Sequence, residues 1–153
     1  MKITEILTPE MILPDLKSTD KPSVLRELAA HLASRIPGSG EQALIDVLAE
    51  RESLGSTAIG DGIAIPHGKL RGVDRIIGIF GRSVRGLDFD SLDGNPTHIF
   101  FLLVAPEDSA SLHLKALARV SRLFKDPNFR GQLIKATDAA DIFRLIREED
   151  ARY

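Results

Sequence analysis

The sequence predicts a layered α/β domain, and three observations support this fold class. Helical and strand patterns alternate along the 153 residues, as they do in layered α/β proteins. Residues His98–Ala105 form a continuous apolar run of strand length, which is typical of a central strand buried on both faces. A chain of this size buries about 68–70% of its unfolded surface, so one domain over residues 1–153 can have a core without disulfides.

The first predicted elements are a strand and a helix. Residues Met11–Leu16 form a brief strand candidate. Ser18–Asp20 offers capping oxygens, and Pro22 suits the first turn of a helix. Apolar residues then recur at helical spacing up to Ile36, and Pro37-Gly38 ends the helix.

A second helix and an extended segment follow. Ser39 and Gln42 have the spacing of a capping box, and Gly55 is a suitable C-terminal stop. After the polar, glycine-rich stretch Ser56–Asp61, residues Ile63–Pro66 are expected to be extended, because a proline disfavours helical backbone in the residue before it.

The second half of the chain supplies two longer strands and three helices. Residues Asp74–Val84 predict a strand, and a turn at Asp93–Pro96 leads into the central strand. Side chains of Asp108–Ser111 can cap the next helix. The expected helices cover Leu112 to about Phe124, Phe129–Lys135 and Ala139–Glu149.

Composition excludes several classes of protein. The 20 basic and 22 acidic residues leave a net charge of −2, which disfavours nucleic-acid binding through general phosphate attraction. The chain has no Cys, so disulfides, zinc ribbons and thiol nucleophiles are excluded. The longest apolar run, Ile99–Ala105, has seven residues, whereas a spanning helix needs about 20. We therefore expect no membrane insertion and a cytoplasmic protein.

His67 is the first candidate for chemistry. It follows the stiff Ile65-Pro66 segment and precedes Gly68, which is expected to leave one side of the imidazole open. A neutral imidazole carries a lone pair and titrates near pH 6.5, so it can act as a nucleophile at cellular pH. The alternative is a loop histidine without a function.

Arg51 is the second candidate, because its helical spacing from Leu44 and Leu48 places it on the face expected to be buried. Its guanidinium could bind phosphate or carboxylate oxygens, or form a structural ion pair with Glu52 or Asp61. Two hydroxyl side chains follow the helix and could add donors, or could simply shape a turn: Ser56 and Thr57.

His113 is the third candidate, since it lies in the first turn of the helix after the central strand. Ligands of open α/β sheets bind at such helix N-termini, where anions are favoured. His113 could otherwise be a surface histidine. His31 and His98 are expected to be structural.

No cofactor or metal site is predicted. Residues Gly38–Ala43 match the relaxed dinucleotide fingerprint, but they follow a helix instead of a strand. The histidines lack close metal-ligand spacing, and Arg51 and Lys69 would repel a cation bound near His67.

A distinctive segment runs from Arg51 to His67 (RESLGSTAIGDGIAIPH), and further matching segments lie at Phe89–Asp93, His98–Pro106 and Ser111–Leu114. Together these segments resemble the fructose/mannitol-type IIA components of the bacterial phosphoenolpyruvate:sugar phosphotransferase system. Within the family the chain most resembles the nitrogen-regulatory branch. Two features favour that branch: the chain is expected to stand alone, without a fused IIB, IIC or HPr-like domain, and the loop Gly86–Gly94 resembles that branch's version.

The resemblance implies a mixed β-sheet flanked by helices on both faces. It further implies that His67 accepts a phosphoryl group from an HPr-like carrier, and that the family's second histidine and arginine are His113 and Arg51. Phosphoryl transfer needs placement and charge stabilisation. Supporting contacts are therefore assigned to four further positions: Ser56, Thr57, the Gly68 backbone N–H and Lys69.

Three functions are compatible with these residues. In the regulatory branch, phosphorylation would switch binding to targets such as potassium-transport or sensor-kinase proteins. In the sugar branch, the phosphoryl group would pass to a IIB domain. The third possibility is a binding module in which His67 is never phosphorylated.

Overall fold

Six strands form one mixed sheet. The computed structural model describes all residues, from Met1 to Tyr153. The strands are β1 (Ile12–Leu13), β2 (Ala58–Gly60), β3 (Ile63–Ala64), β4 (His67–Lys69), β5 (Ile77–Leu87) and β6 (Thr97–Ala105). Their order is β1-β5-β6-β3-β2, and β4 also pairs with β6. The strand β6 pairs with antiparallel β5 along one edge and with parallel β3 and β4 along the other. The predicted position of the apolar run at the centre of the sheet is therefore confirmed.

Five α-helices cover both faces of the sheet, as predicted. They are α1 (Lys21–Arg35), α2 (Glu41–Ser53), α3 (Ala110–Leu123), α4 (Pro127–Lys135) and α5 (Ala139–Asp150). A Cβ added at Gly81 of β5 would meet Leu28 of α1 at 3.2 Å. The next side chain, Arg82, donates to the Leu133 carbonyl of α4 at 2.9 Å. Successive strand residues point to opposite faces, so α1 and α4 lie on opposite sides of the sheet.

The core is one cluster of 39 buried apolar residues that extends through the sheet. Two adjacent residues of β6 show how both faces are filled. The ring of Phe101 lies 5.9 Å from Phe124, just after α3, whereas the ring of Phe100 lies 5.3 Å from Phe89 on the other face. This burial on both faces explains why β6 is apolar at nearly every position.

The first strand is shorter than predicted. A single 3-10 turn occupies Pro9–Met11, and β1 then ends before Pro14, which has no N–H for a sheet ladder. By contrast, α1 begins as expected, because the Asp20 carboxylate accepts a hydrogen bond from the Ser23 N–H at 2.8 Å. No helix in the structure has the length and apolar character needed to cross a lipid bilayer.

The predicted capping box of α2 is wrong. Gly40 is the N-cap residue, with a φ of 76° that suits glycine. This turn buries Ser39, whose hydroxyl has no partner, and the Gln42 side chain donates instead to Asp46 at 2.9 Å. The prediction failed because a left-handed backbone at Gly40 changes the direction in which the chain enters the helix.

Side-chain capping of α3 is also absent. Its N-cap residue is Ser109, but the hydroxyl donates to the Pro106 carbonyl at 2.7 Å. The helix α4 starts earlier than predicted, because Asp126 accepts from the Asn128 N–H at 2.9 Å and Pro127 occupies the first turn. These differences shift helix ends without changing the order of elements.

Candidate active site

His67 begins the short strand β4, which the sequence did not predict. The strand runs parallel to β6, with His67 opposite Leu103, and the His67 side chain is half-buried. The next residue, Gly68, points to the opposite face, where an added Cβ would overlap Val47 of α2. Gly68 is therefore required for packing of α2 against β4, and the expectation that it opens one side of the imidazole is wrong.

One hydrogen bond determines which nitrogen of His67 can react. Its Nδ1 lies 2.8 Å from the carbonyl oxygen of Ile65. A carbonyl oxygen can only accept, so Nδ1 carries the proton and donates it. The lone pair of the neutral ring is then on Nε2, which makes Nε2 the nucleophilic nitrogen.

The surroundings of His67 favour the neutral imidazole. Burial lowers the pKa of His67 below its usual value, and the Arg51 guanidinium lowers the pKa further. The hydrogen bond to Ile65 and the carboxylate of Glu52 act in the opposite direction, but the net shift is downward. At neutral pH the ring is therefore uncharged and keeps its lone pair.

His113 lies beside His67, as the combined motifs predicted. The two ring centroids are 5.5 Å apart, with the planes at 60°. Only 7% of His113 is exposed, and burial, followed by the effects of His67 and Lys69, lowers the pKa of His113. The strand β4 and the first turn of α3 thus bring two neutral imidazoles together on one face of the sheet.

Arg51 has no carboxylate partner. It lies in the last turn of α2 and donates through Nη1 to the Gly55 carbonyl at 2.9 Å. The ion pair considered with Glu52 or Asp61 does not form, since Glu52 pairs instead with Lys21 at 3.0 Å. The positive charge close to His67 therefore has no anion to neutralise it within the protein, which suits a phosphoryl group.

The hydroxyls of Ser56 and Thr57 are already used as donors inside the protein. Ser56 Oγ donates to the Phe89 carbonyl at 2.7 Å. Thr57 is 4% exposed, and its Oγ1 donates to the Glu52 carboxylate. The predicted role of both hydroxyls as free phosphoryl donors does not fit these contacts, which instead hold the loop after α2.

The remaining two predicted groups differ in orientation. The backbone N–H of Gly68 faces β6, because the ladder bonds of Pro66 and Leu70 on either side run to that strand. It is therefore not directed at a phosphoryl group on His67. Lys69 is exposed and shares a face with His67, since residues two apart in a strand point the same way.

Sequence reasoning missed the buried carboxylate of Glu52. Its Oε1 accepts from the Thr57 N–H and lies near Lys21 Nζ, both at 3.0 Å. From its place in the sequence, Glu52 is expected only as a possible ion-pair partner for Arg51. No local pattern links it to Lys21, because Lys21 lies in the first turn of another helix.

The other two histidines are bonded to backbone carbonyls. His31 Nε2 lies 2.7 Å from the Glu10 oxygen, and His98 Nδ1 lies 3.0 Å from the Ser83 oxygen. These contacts agree with the structural roles predicted for both. No group of three or more His, Cys, Asp or Glu side chains is arranged to hold a metal.

Comparison with known proteins gives consistent matches over nearly the whole chain. Residues 5–149 match the family model described as phosphoenolpyruvate-dependent sugar phosphotransferase system, EIIA 2. A nitrogen regulatory protein of Bradyrhizobium diazoefficiens is 47% identical over 146 residues, covering 95% of both chains. The fructose-specific EIIABC component of Bacillus subtilis is 39% identical over 150 residues, covering 98% of this chain and 24% of that protein.

A solved structure shows the same fold. The crystal structure of the nitrogen regulatory protein IIA-Ntr from Neisseria meningitidis superposes with a TM-score of 0.87 and 30% sequence identity. The match covers 94% of this chain and 98% of that chain. The family match over residues 5–149 includes every element that positions His67, Arg51 and His113.

Proposed function

Because the chain belongs to the EIIA 2 family of the phosphoenolpyruvate-dependent sugar phosphotransferase system, we propose that it is a cytoplasmic phosphohistidine carrier. His67 Nε2 accepts a phosphoryl group from the phosphohistidine of an HPr-like carrier protein. The observation that carries this proposal is the bond from His67 Nδ1 to Ile65, which leaves the Nε2 lone pair free.

The proposed step is an exchange between two imidazoles. The lone pair of His67 Nε2 forms the new P–N bond, while the P–N bond of the donor breaks and its electron pair returns to the donor imidazole. His67 keeps its Nδ1 proton throughout, so this step needs no general base, metal or cofactor. Such transfers depend on placement of the reactants and on stabilisation of charge on the phosphoryl oxygens.

Arg51 and His113 supply that stabilisation in the proposal. The guanidinium of Arg51 has no carboxylate partner and acts on the charge of the His67 ring. His113, at 5.5 Å between centroids, can donate a ring N–H to a phosphoryl oxygen. Lys69, on the same face, adds a flexible positive charge. Ser56, Thr57 and Gly68 support the site by holding its backbone.

The output that we propose is regulatory. Phosphorylation adds about −1.5 to −2 charges to the centre of a binding face, which is sufficient to change which proteins bind. The 47% identity to a nitrogen regulatory protein supports this branch. Potassium-transport and sensor-kinase proteins are the target classes to test, by capture with the phosphorylated and unphosphorylated forms.

A sugar-branch function is the second candidate, supported by the 39% identity to a fructose-specific EIIABC component. In that case the phosphoryl group passes from His67 to a IIB domain. Incubation of the labelled protein with IIB domains separates the two candidates. Rapid loss of label that depends on IIB favours the sugar branch, and retention of label favours the regulatory branch.

The decisive experiment is phosphorylation from labelled phosphoenolpyruvate with the general phosphotransferase proteins. We expect an acid-labile, base-stable label on the wild type and none on His67→Ala. An unlabelled wild type, with a donor carrier that is itself labelled, would show that the protein is a binding module instead.

A further inference from the structure

A continuous chain of hydrogen bonds connects a buried carboxylate to the imidazole of His67. Glu52 Oε1 accepts from the Thr57 N–H at 3.0 Å. The Thr57 carbonyl accepts from the Ile65 N–H at 3.1 Å, and the Ile65 carbonyl accepts from His67 Nδ1 at 2.8 Å. The bonds follow one another through the backbone of Thr57 and Ile65, so the position of Glu52 fixes Thr57 and, through it, the Ile65 carbonyl that holds the ring.

The carboxylate at the start of this chain is held in place from several sides. Only 9% of Glu52 is exposed, and its second oxygen accepts the hydroxyl of Thr57. Lys21 Nζ lies 3.0 Å from Oε1 and 4.7 Å from the centroid of the Phe89 ring. A buried carboxylate is costly unless it is paired and hydrogen-bonded, and here these requirements are met.

We propose that Glu52 is a positioning residue for His67: by fixing Thr57, and through it the Ile65 carbonyl, it keeps the proton on Nδ1 and the lone pair on Nε2. Lys21 pairs with Glu52 and fixes its position. The inference deepens the proposed function, since its catalytic consequence depends on phosphoryl transfer to Nε2. Glu52 itself does not touch the reacting atoms.

Two effects of Glu52 reach the ring. The hydrogen bond from Thr57 to Glu52 helps to hold the Ile65 carbonyl in place, and this carbonyl stabilises the Nδ1–H form of His67 because it can only accept a proton. The carboxylate also opposes the lowering of the His67 pKa. The other charged or titratable groups near the ring are Arg51 at the end of α2, His113 on α3 and Lys69 on β4, and none of them contacts Nδ1.

The test is the substitution Glu52→Gln, measured by nitrogen-15 NMR of the His67 imidazole and by the rate of phosphorylation. The amide keeps the size of the side chain but removes one of the two oxygens that accept from Thr57 and the charge that pairs with Lys21. We expect a larger Nε2–H population and a lower pKa for His67. We also expect phosphorylation to slow by about tenfold, within the range for residues that act through a hydrogen-bond network.

The matched control is Glu50→Gln, which makes the same charge change on an exposed residue of α2. It should leave both the tautomer ratio and the rate as in the wild type. If Glu52→Gln does not fold, the double substitution Lys21→Met with Glu52→Gln removes both charges of the buried pair. This double variant should show the same shift toward Nε2–H.

The NMR readout separates this inference from the proposed function. A folded charge-free variant with the wild-type tautomer ratio and pKa overturns the role of Glu52, whatever its rate. A shifted tautomer in a protein that is never phosphorylated supports the role of Glu52 and rejects the carrier function. A loss of stability with no change at the His67 ring would mean that Glu52 is only structural.

Discussion

The imidazoles of His67 and His113 lie with their centroids 5.5 Å apart, although one begins β4 and the other lies in the first turn of α3. Both rings have a lowered pKa, with burial as the main cause. Two protonated rings at this distance would repel each other. The pair is thus arranged as neutral groups; in the proposed transfer His67 accepts the phosphoryl group and His113 donates to its oxygens.

Removal of the Arg51 guanidinium should slow phosphorylation of His67 strongly. Arg51→Ala is expected to lower the rate by about 10²–10³-fold, the effect of losing one donor to a developing oxyanion. Arg51→Lys should recover part of the rate through its charge. The control is Arg26→Ala, an exposed arginine of α1. A wild-type rate for Arg51→Ala, measured with the HPr-like donor, would reject the role of Arg51.

Substitution of His113 should slow the phosphorylation of His67 while leaving the protein folded. We expect His113→Ala to be phosphorylated about 10²-fold more slowly, since one donor to the phosphoryl oxygens is lost. His113→Gln should lie between the two, because its amide can still donate. His31→Gln is the control, as the His31 side chain bonds only the Glu10 carbonyl. Equal rates for His113→Ala and the wild type, with both proteins folded, would remove His113 from the mechanism.

The pH dependence follows from the direction of the two histidine shifts. The lowered pKa of His67 keeps the ring neutral as the pH falls through about 6.5, the ordinary histidine value. An NMR titration should therefore give midpoints for His67 and His113 below this value. A midpoint at or above about 6.5 for His67 would contradict the structure.

The same shifts predict how stability depends on pH. Between the lowered folded values and about 6.5, the unfolded chain binds more protons than the folded one. The contribution of these two histidines to the free energy of unfolding should be fully present above about pH 6.5, and it should decrease as the pH falls below that value. In the variant with both His67→Gln and His113→Gln, the free energy of unfolding measured by urea titration should depend less steeply on pH. An unchanged slope would show that other groups cause it.

Gly68 should be intolerant of even a small side chain. An added Cβ would overlap Val47 on α2, so Gly68→Ala is expected to destabilise the fold by about 1–3 kcal/mol, as overpacking does. Adding the substitution Val47→Ala to Gly68→Ala should restore part of the lost stability. Thermal or urea unfolding measures both. Destabilisation that Val47→Ala leaves unchanged would point to backbone strain instead of overlap.

Local sequence patterns determined the fold class, the central strand β6 and the main helices. These features follow from periodicity, and α1 also carries its own capping residue, Asp20. The Arg51–His67 signature likewise identified the family and its candidate histidine. Such signals lie within short stretches of chain, so they can be recognised without knowledge of the fold.

Tertiary structure alone decided which polar groups in the site are free. Ser56 donates to Phe89 and Lys21 pairs with Glu52, and in each case the partner comes from a distant part of the sequence. Packing of α2 against β4 likewise explains Gly68. Hydrogen bonds and close contacts depend on positions in space, and these are set only when the sheet and helices assemble.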